Sequence, residues 1–226
     1  MIDVEICANS AASARAAKEG GAQRIELCAN LECGGLTPSD NDIDYSVRTL
    51  GLRTHVLVRP RPGNFCYNAA ELAEIESSIL RCKALGVHAV VIGFLTAEGK
   101  VDLELTRRMV QLAAPMEVTF HRAFDEARQE PLEALRAIAD AGCHRLLTSG
   151  QMPTAEQGIP LLKELVEQAA GRIIIMPGAG VNPQNAHRIL SETGAHEIHG
   201  SLRKDGHTDA KLVRAIVEEI SHQKEL

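Results

Sequence analysis

The stretch Arg24-Ile25-Glu26-Leu27-Cys28 sets Ile25 and Leu27 between residues that carry charge or a thiol. A period of two belongs to a β-strand whose two faces meet different surroundings. The same alternation runs through Val4-Glu5-Ile6-Cys7, His55-Val56-Leu57-Val58-Arg59, Glu117-Val118-Thr119-Phe120-His121 and Glu197-Ile198-His199. With the further apolar runs between them, these segments predict eight strands, at 4–7, 24–28, 54–60, 89–94, 117–121, 146–149, 173–176 and 197–200.

Helical patterns fill the intervals. Ser10 is placed to cap the first helix and Gly20-Gly21 to stop it, and Asn68 and Glu71 have capping-box spacing ahead of a helix closed by Gly86. Pro131 suits the first turn of a helix ended by Gly142, Asn182-Pro183 reads as a cap followed by the first helical residue, and Asp209 is placed to cap the last helix. Leu132, Leu135 and Ile138 share one helical face, as do Leu212, Ile216 and Ile220. Eight strand–helix units in 226 residues allow roughly 28 residues each, near the lower limit for a (β/α)8 barrel of the TIM type. The predicted architecture is therefore α/β, with one TIM-barrel domain over residues 1–226. A doubly wound open sheet, the alternative, would more naturally have fewer strands and a switch point in their order.

Lys and Arg number 24 against 30 Asp and Glu, a formal charge of −6, and 45% of the residues are apolar. That composition suits a soluble domain with a sizeable core. The longest nearly uncharged apolar stretch, 173–181, falls well short of the roughly 18 residues a membrane helix needs. The opening Met-Ile-Asp-Val-Glu has no secretory character. A cytoplasmic protein with no membrane partner is expected. With 3% aromatic residues, no Trp and no basic tract, the chain offers nucleic acid neither a phosphate-neutralising face nor stacking platforms, so nucleic acid is not expected as a partner. Six cysteines without a CxxC spacing are read as reduced thiols.

In a barrel the apolar set of each alternating strand must face the helices, and the polar set must face the axis. Glu5, Glu26, Arg59, His121, Glu197 and His199 are thereby predicted to converge on one interior. Charges so buried must pair or line a wet cavity, which makes the alternatives an ion-pair network of purely structural purpose or a site with perturbed acids and bases. Arg59, His121 and His199 fall at the carboxyl ends of their strands, the face on which barrel active sites are built. As an enzyme site, His121 would be the general acid or base, Glu5 or Glu26 its counterpart, His199 a further titratable group, and Asp125 a positioning carboxylate.

The loops on that face carry Arg59-Pro60-Arg61, His121-Arg122-Ala123-Phe124-Asp125, Thr148-Ser149-Gly150, Gly178-Ala179-Gly180 and Gly200-Ser201-Leu202-Arg203. Arg59, Arg61, Arg122 and Arg203, with Ser149, Gly178, Gly180 and Ser201, make a candidate site for a small anionic or phosphorylated ligand. The plainer reading of the glycines is that they are turn residues, and of the arginines that they pair with Glu5, Glu26 or Asp125. Cys7 and Cys28 stand two residues beyond Glu5 and Glu26 on neighbouring strands. Two soft thiolates there could hold Cu(I), with help from His121 or His199, whereas a buried cysteine is otherwise a small hydrophobe.

Glu5-Ile-Cys7, Gly21-Ala-Gln-Arg-Ile-Glu-Leu-Cys28, Gly34-Gly-Leu-Thr-Pro-Ser39, Arg59-Pro-Arg61, Thr119-Phe-His-Arg-Ala-Phe-Asp125, Leu147-Thr-Ser-Gly150 and Pro177-Gly-Ala-Gly180 together resemble the CutC copper homeostasis family. The resemblance runs through nearly the whole chain. It implies a cytoplasmic (β/α)8 barrel, a homo-oligomer such as a dimer or tetramer, and copper(I) held by inward cysteines that correspond to Cys7 and Cys28. Ala179 stands where members of that family often carry another glycine, a methyl group that is unfavourable only if the backbone there needs a positive φ.

Overall fold

The computed structural model describes residues 3–222, so positions 1–2 and 223–226 of the predicted domain lie outside the described residues. Eight strands follow one another as β1 (Asp3–Ala8), β2 (Arg24–Leu27), β3 (Arg53–Leu57), β4 (Ala89–Ile92), β5 (Glu117–Phe120), β6 (Arg145–Thr148), β7 (Ile174–Pro177) and β8 (Glu197–Gly200). Their ladders are parallel and run in the order β7-β6-β5-β4-β3-β2-β1-β8. The sheet curls until β7 and β8 lie beside each other, so the predicted (β/α)8 barrel is the observed fold.

Each crossover carries a helix: α1 (Ala11–Glu19), α2 (Asp40–Asp44), α3 (Ala69–Ala84), α4 (Leu103–Ala113), α5 (Pro131–Asp140), α6 (Ile159–Ala169) and α7 (Ala186–Thr193), with α8 (Ala210–His222) after the last strand. Local chemistry sets their ends. Ser10 accepts the Ser13 N–H, Asn68 and Glu71 form a complete capping box, and Asp209 accepts the N–H groups of Lys211 and Leu212. Two expectations shift, and one element was not anticipated. The third strand stops at Leu57 rather than residue 60, because the Arg59 N–H turns aside to Thr37 Oγ1 at 2.9 Å. Asn182-Pro183 does not open α7: Asn182 Oδ1 accepts the N–H groups of Gln184 and Asn185, which builds a separate turn, and the helix starts at Ala186. A short hairpin after β8, β9 (Arg203–Lys204) with β10 (His207–Thr208), has no alternating signature in the sequence.

The alternation sorts the side chains as physics requires. Ile6, Ile25, Leu27, Val56, Val118, Phe120 and Ile198 are fully buried in the apolar layer they share with residues of the helices, such as Ile79, Met109, Ile138 and Ile216. Their polar neighbours meet one another inside the barrel. Toward the amino ends of the strands, Glu197 of β8 accepts hydrogen bonds from Arg24 of β2 and Arg145 of β6, and Arg145 also donates to Glu117 of β5. Arg53 closes the chain by donating to Glu117 at 2.9 Å. Burial alone would raise the carboxyls of Glu117 and Glu197, but the arginines beside them hold both below the usual range.

Truncating one member of such a network strands the others. Glu197→Leu leaves Arg24 and Arg145 without their shared acceptor, and urea unfolding is expected to show a loss of about 3–5 kcal/mol. Lowered carboxyl pKa values stabilise the fold above the ordinary glutamate value of 4.5 and cease to do so as pH falls through the lowered values. The wild-type urea midpoint is therefore expected to drop on acidification below that point, with a shallower acid limb in Glu197→Leu. A midpoint indifferent to pH there would show that these ion pairs contribute nothing to stability.

Candidate metal and ligand site at the barrel mouth

Above this ionic layer sits Glu5, with no exposed surface. Its Oε1 is 2.9 Å from His199 Nδ1, and its Oε2 is 2.7 Å from His55 Nδ1 and 3.0 Å from Arg24 Nε. Burial would raise the Glu5 carboxyl, but the two imidazoles and Arg24 hold it well below the usual range. In return, His199 is raised: burial works against its charge, and the hydrogen bond to Glu5 with the nearby charges of Glu26 and Glu5 outweighs it. Arg24 and His55 belong to the same inward register as Glu26, so the alternation already contained them even though the reading of the sequence did not place them among the site residues.

One register step closer to the mouth, Cys7 of β1 is aligned with Glu26 of β2. Cys28 follows β2, its N–H bonded to Ala8 O, and brings its Sγ to 3.9 Å from that of Cys7. Both thiols are free and buried. The loop after Cys28 closes on it because Gly35 has no side chain: a Cβ there would lie 2.7 Å from Leu57 Cδ2 and 3.6 Å from the Cys28 sulfur. Donor atoms of Cys7, Glu26 and His199 all lie within 4.8 Å of one another. The hydrogen bond with Cys28, burial and the neighbouring carboxylates push the Cys7 thiol well up. Burial likewise raises Glu26 to about 7, with His199 pulling it down and Glu5 pushing it further up. The floor of the mouth therefore presents two adjacent soft sulfur donors beside a carboxyl that sheds its proton near neutrality.

These groups open into a cavity of about 290 Å³ at the carboxyl ends of the strands. Cys7, Glu26 and His199 line its base, and Arg59 and His121 its walls. Along the rim come Arg122, Gly180, Ser201 and the exposed Arg203. The remaining candidates lie outside the lining. Glu5 is sealed beneath it, and Cys28 stands behind Cys7 against Leu57 and Val91. Asp125 accepts from Arg122, from the Thr148 and Ser149 hydroxyls and from the N–H groups of Ser149 and Gln151, stitching the loops after β5 and β6 together. Arg61 turns to α3, where it donates to Glu71 and to the carbonyls of Asn64 and Cys66. Gly178 gives its N–H to Thr148 O, and a Cβ on it would meet Leu147 at 2.5 Å, so its role is close packing. Ala179 takes φ +79°, the left-handed conformation that costs a residue with a Cβ roughly 1–2 kcal/mol.

Phe65 completes the wall and was not legible in the sequence. Its ring is 4.8 Å from that of His121 and lies beneath the Arg59 guanidinium at 5.0 Å. It arrives from the loop between β3 and α3, whose course no periodicity specifies. A larger concavity of about 660 Å³, lined in part by Lys18 and Arg53, opens at the opposite end of the barrel and holds none of the mouth residues.

Residues 2–204 match the sequence model described as the CutC family. A family protein CutC of Chromobacterium violaceum is 50% identical over 200 residues, which cover 88% of this chain and 81% of that protein. The copper homeostasis protein cutC homolog of Homo sapiens is 42% identical over 200 residues, covering 88% of this chain and 73% of that one. A crystal structure from Streptococcus agalactiae, described as that of a candidate copper homeostasis protein CutC, superposes with a TM-score of 0.84 at 34% identity over 89% of this chain and 99% of that one. With the barrel, the motif set and these likenesses in agreement over most of its length, the chain belongs to the CutC family.

Proposed function

We propose that this chain binds Cu(I) through Cys7 and Cys28 at the floor of the barrel mouth and serves copper homeostasis in the cytoplasm. The observation that carries this reading is the pair of buried free thiols with sulfurs 3.9 Å apart. Two metal–sulfur bonds of about 2.3 Å each can span that gap. Soft thiolates favour Cu(I) among the common ions, and loading it expels the thiol protons. His199 and Glu26 stand within reach to assist. The six cysteines are all unpaired, in keeping with a reducing compartment. Family membership points the same way, since relatives carry copper homeostasis in their names.

An acid–base enzyme acting on a small anionic substrate draws less support. Of its two candidate carboxylates only Glu26 reaches the cavity and Glu5 is sealed off, Arg61 is committed to Glu71, and Arg122 is held by Asp125. Competition against a chromogenic Cu(I) chelator such as bicinchoninate tests the copper reading. The wild type is expected to retain one Cu(I) per chain, Cys28→Ala to lose it and His121→Ala to keep it. Equal retention by the wild type and a Cys7→Ala, Cys28→Ala double variant would remove the proposal.

A further inference from the structure

Arg59 is a buried cation with an unusual set of partners. Only 6% of it is exposed, yet among the described residues its guanidinium meets carbonyls rather than a carboxylate: Cys33 O at 3.3 Å, Gly35 O at 3.2 Å and Gly63 O at 2.9 Å. Dipoles and the Phe65 ring face it, and no counter-charge pairs with it among the described residues. A buried charge of this kind is a place for an anion.

His121, in the same cavity and equally buried, adds a directed donor. Its Nδ1 accepts the Ala123 N–H at 3.1 Å, and burial together with Arg59 pushes the imidazole down to about 3. A neutral ring whose Nδ1 is an acceptor carries its proton on Nε2. That Nε2–H is buried and has no hydrogen-bond partner among the described residues. On β2, three strands around the barrel from β5, Glu26 Oε2 is likewise buried and unpartnered. Native proteins rarely leave such groups unmet, and here a donor, an acceptor and an uncompensated cation line one small cavity. Between them the walls are apolar, with Leu31, Leu57 and Leu147.

We propose that the barrel mouth binds a small α-hydroxy carboxylate, its carboxylate lying against Arg59 and the His121 Nε2–H and its hydroxyl donating to Glu26. The carboxylate supplies the missing counter-charge and accepts the orphan N–H. The hydroxyl answers the orphan oxygen, and a short alkyl group suits the leucine walls. A cavity of about 290 Å³ limits the ligand to a small metabolite. The site shares Glu26 with the proposed copper site but makes no use of the thiol pair, so binding to the copper-free chain does not depend on the copper reading.

The test is a titration of the full, copper-free chain with L-lactate, propionate and lactamide, followed by saturation-transfer NMR of the ligand. Lactate is expected to bind. Propionate, without the hydroxyl, and lactamide, without the charge, are each expected to bind about tenfold more weakly or worse. His121→Phe keeps an aromatic ring against Phe65 but removes the donor, and is expected to weaken lactate by about tenfold. Glu26→Leu is expected to abolish the preference for lactate over propionate, and it decides the matter should His121→Phe fail to fold. No transfer to lactate in the wild type, equal binding of lactamide, or wild-type behaviour in the folded variants would overturn the proposal.

Discussion

A carboxylate without contact to water is stable only if the protein supplies what water would have supplied. Glu5 meets that condition through His55, His199 and Arg24, three groups from three different strands. Because the partners come from β2, β3 and β8, their meeting requires the sheet to curl with those strands in one register. A slip of one residue would turn the charged set toward the helices and the isoleucines toward the axis. The interaction therefore specifies register as well as charge balance. It also aims the cavity floor, since His199 is held by Glu5 and lies within metal-ligand reach of Glu26 and Cys7.

The barrel interior is graded along its axis. At the amino ends, arginines and glutamates neutralise one another through Glu197 and Glu117, and Arg24 links that chain to Glu5 above it. At mid-height the Glu5 cluster mixes a carboxylate with imidazoles. At the carboxyl ends, the two thiols have only each other as side-chain hydrogen-bond partners among the described residues, and Glu26 and His121 each keep an unmet atom. Unmet polar atoms facing a cavity, set on a scaffold of paired charges, are the pattern expected where a scaffold supports a binding site.

Two clasps keep the mouth in shape. Arg59 gathers the loop after β2 and the loop after β3 by donating to carbonyls of both, which requires a glycine at 34, where a Cβ would come within 2.9 Å of its Nη1. Asp125 does the same for the loops after β5 and β6. A charged residue at a strand end is written the same way in the sequence whether it meets a ligand, a neighbouring loop or, as the cavity-lining Arg59 allows, both. Phe65 and the course of the loops around it carry no periodic signal, and so were invisible.

Alternation, helix caps and apolar faces are local properties. They sufficed for the eight strands, seven of them to within two residues at either end, and for which strand residues face inward, because a strand's period of two leaves each side chain one face or the other. The inward place of Glu5, Glu26, Cys7 and His199 was legible for that reason. Depth and partnership are not local. That Glu5 is sealed while Glu26 reaches the cavity, that the two sulfurs come within 3.9 Å, that Arg61 leaves the mouth for Glu71 and that Ala179 adopts a positive φ were settled only when distant segments met. Those outcomes depend on distances across the barrel and on which loop arrives beside which, and neither is encoded in the spacing of residues along a single strand.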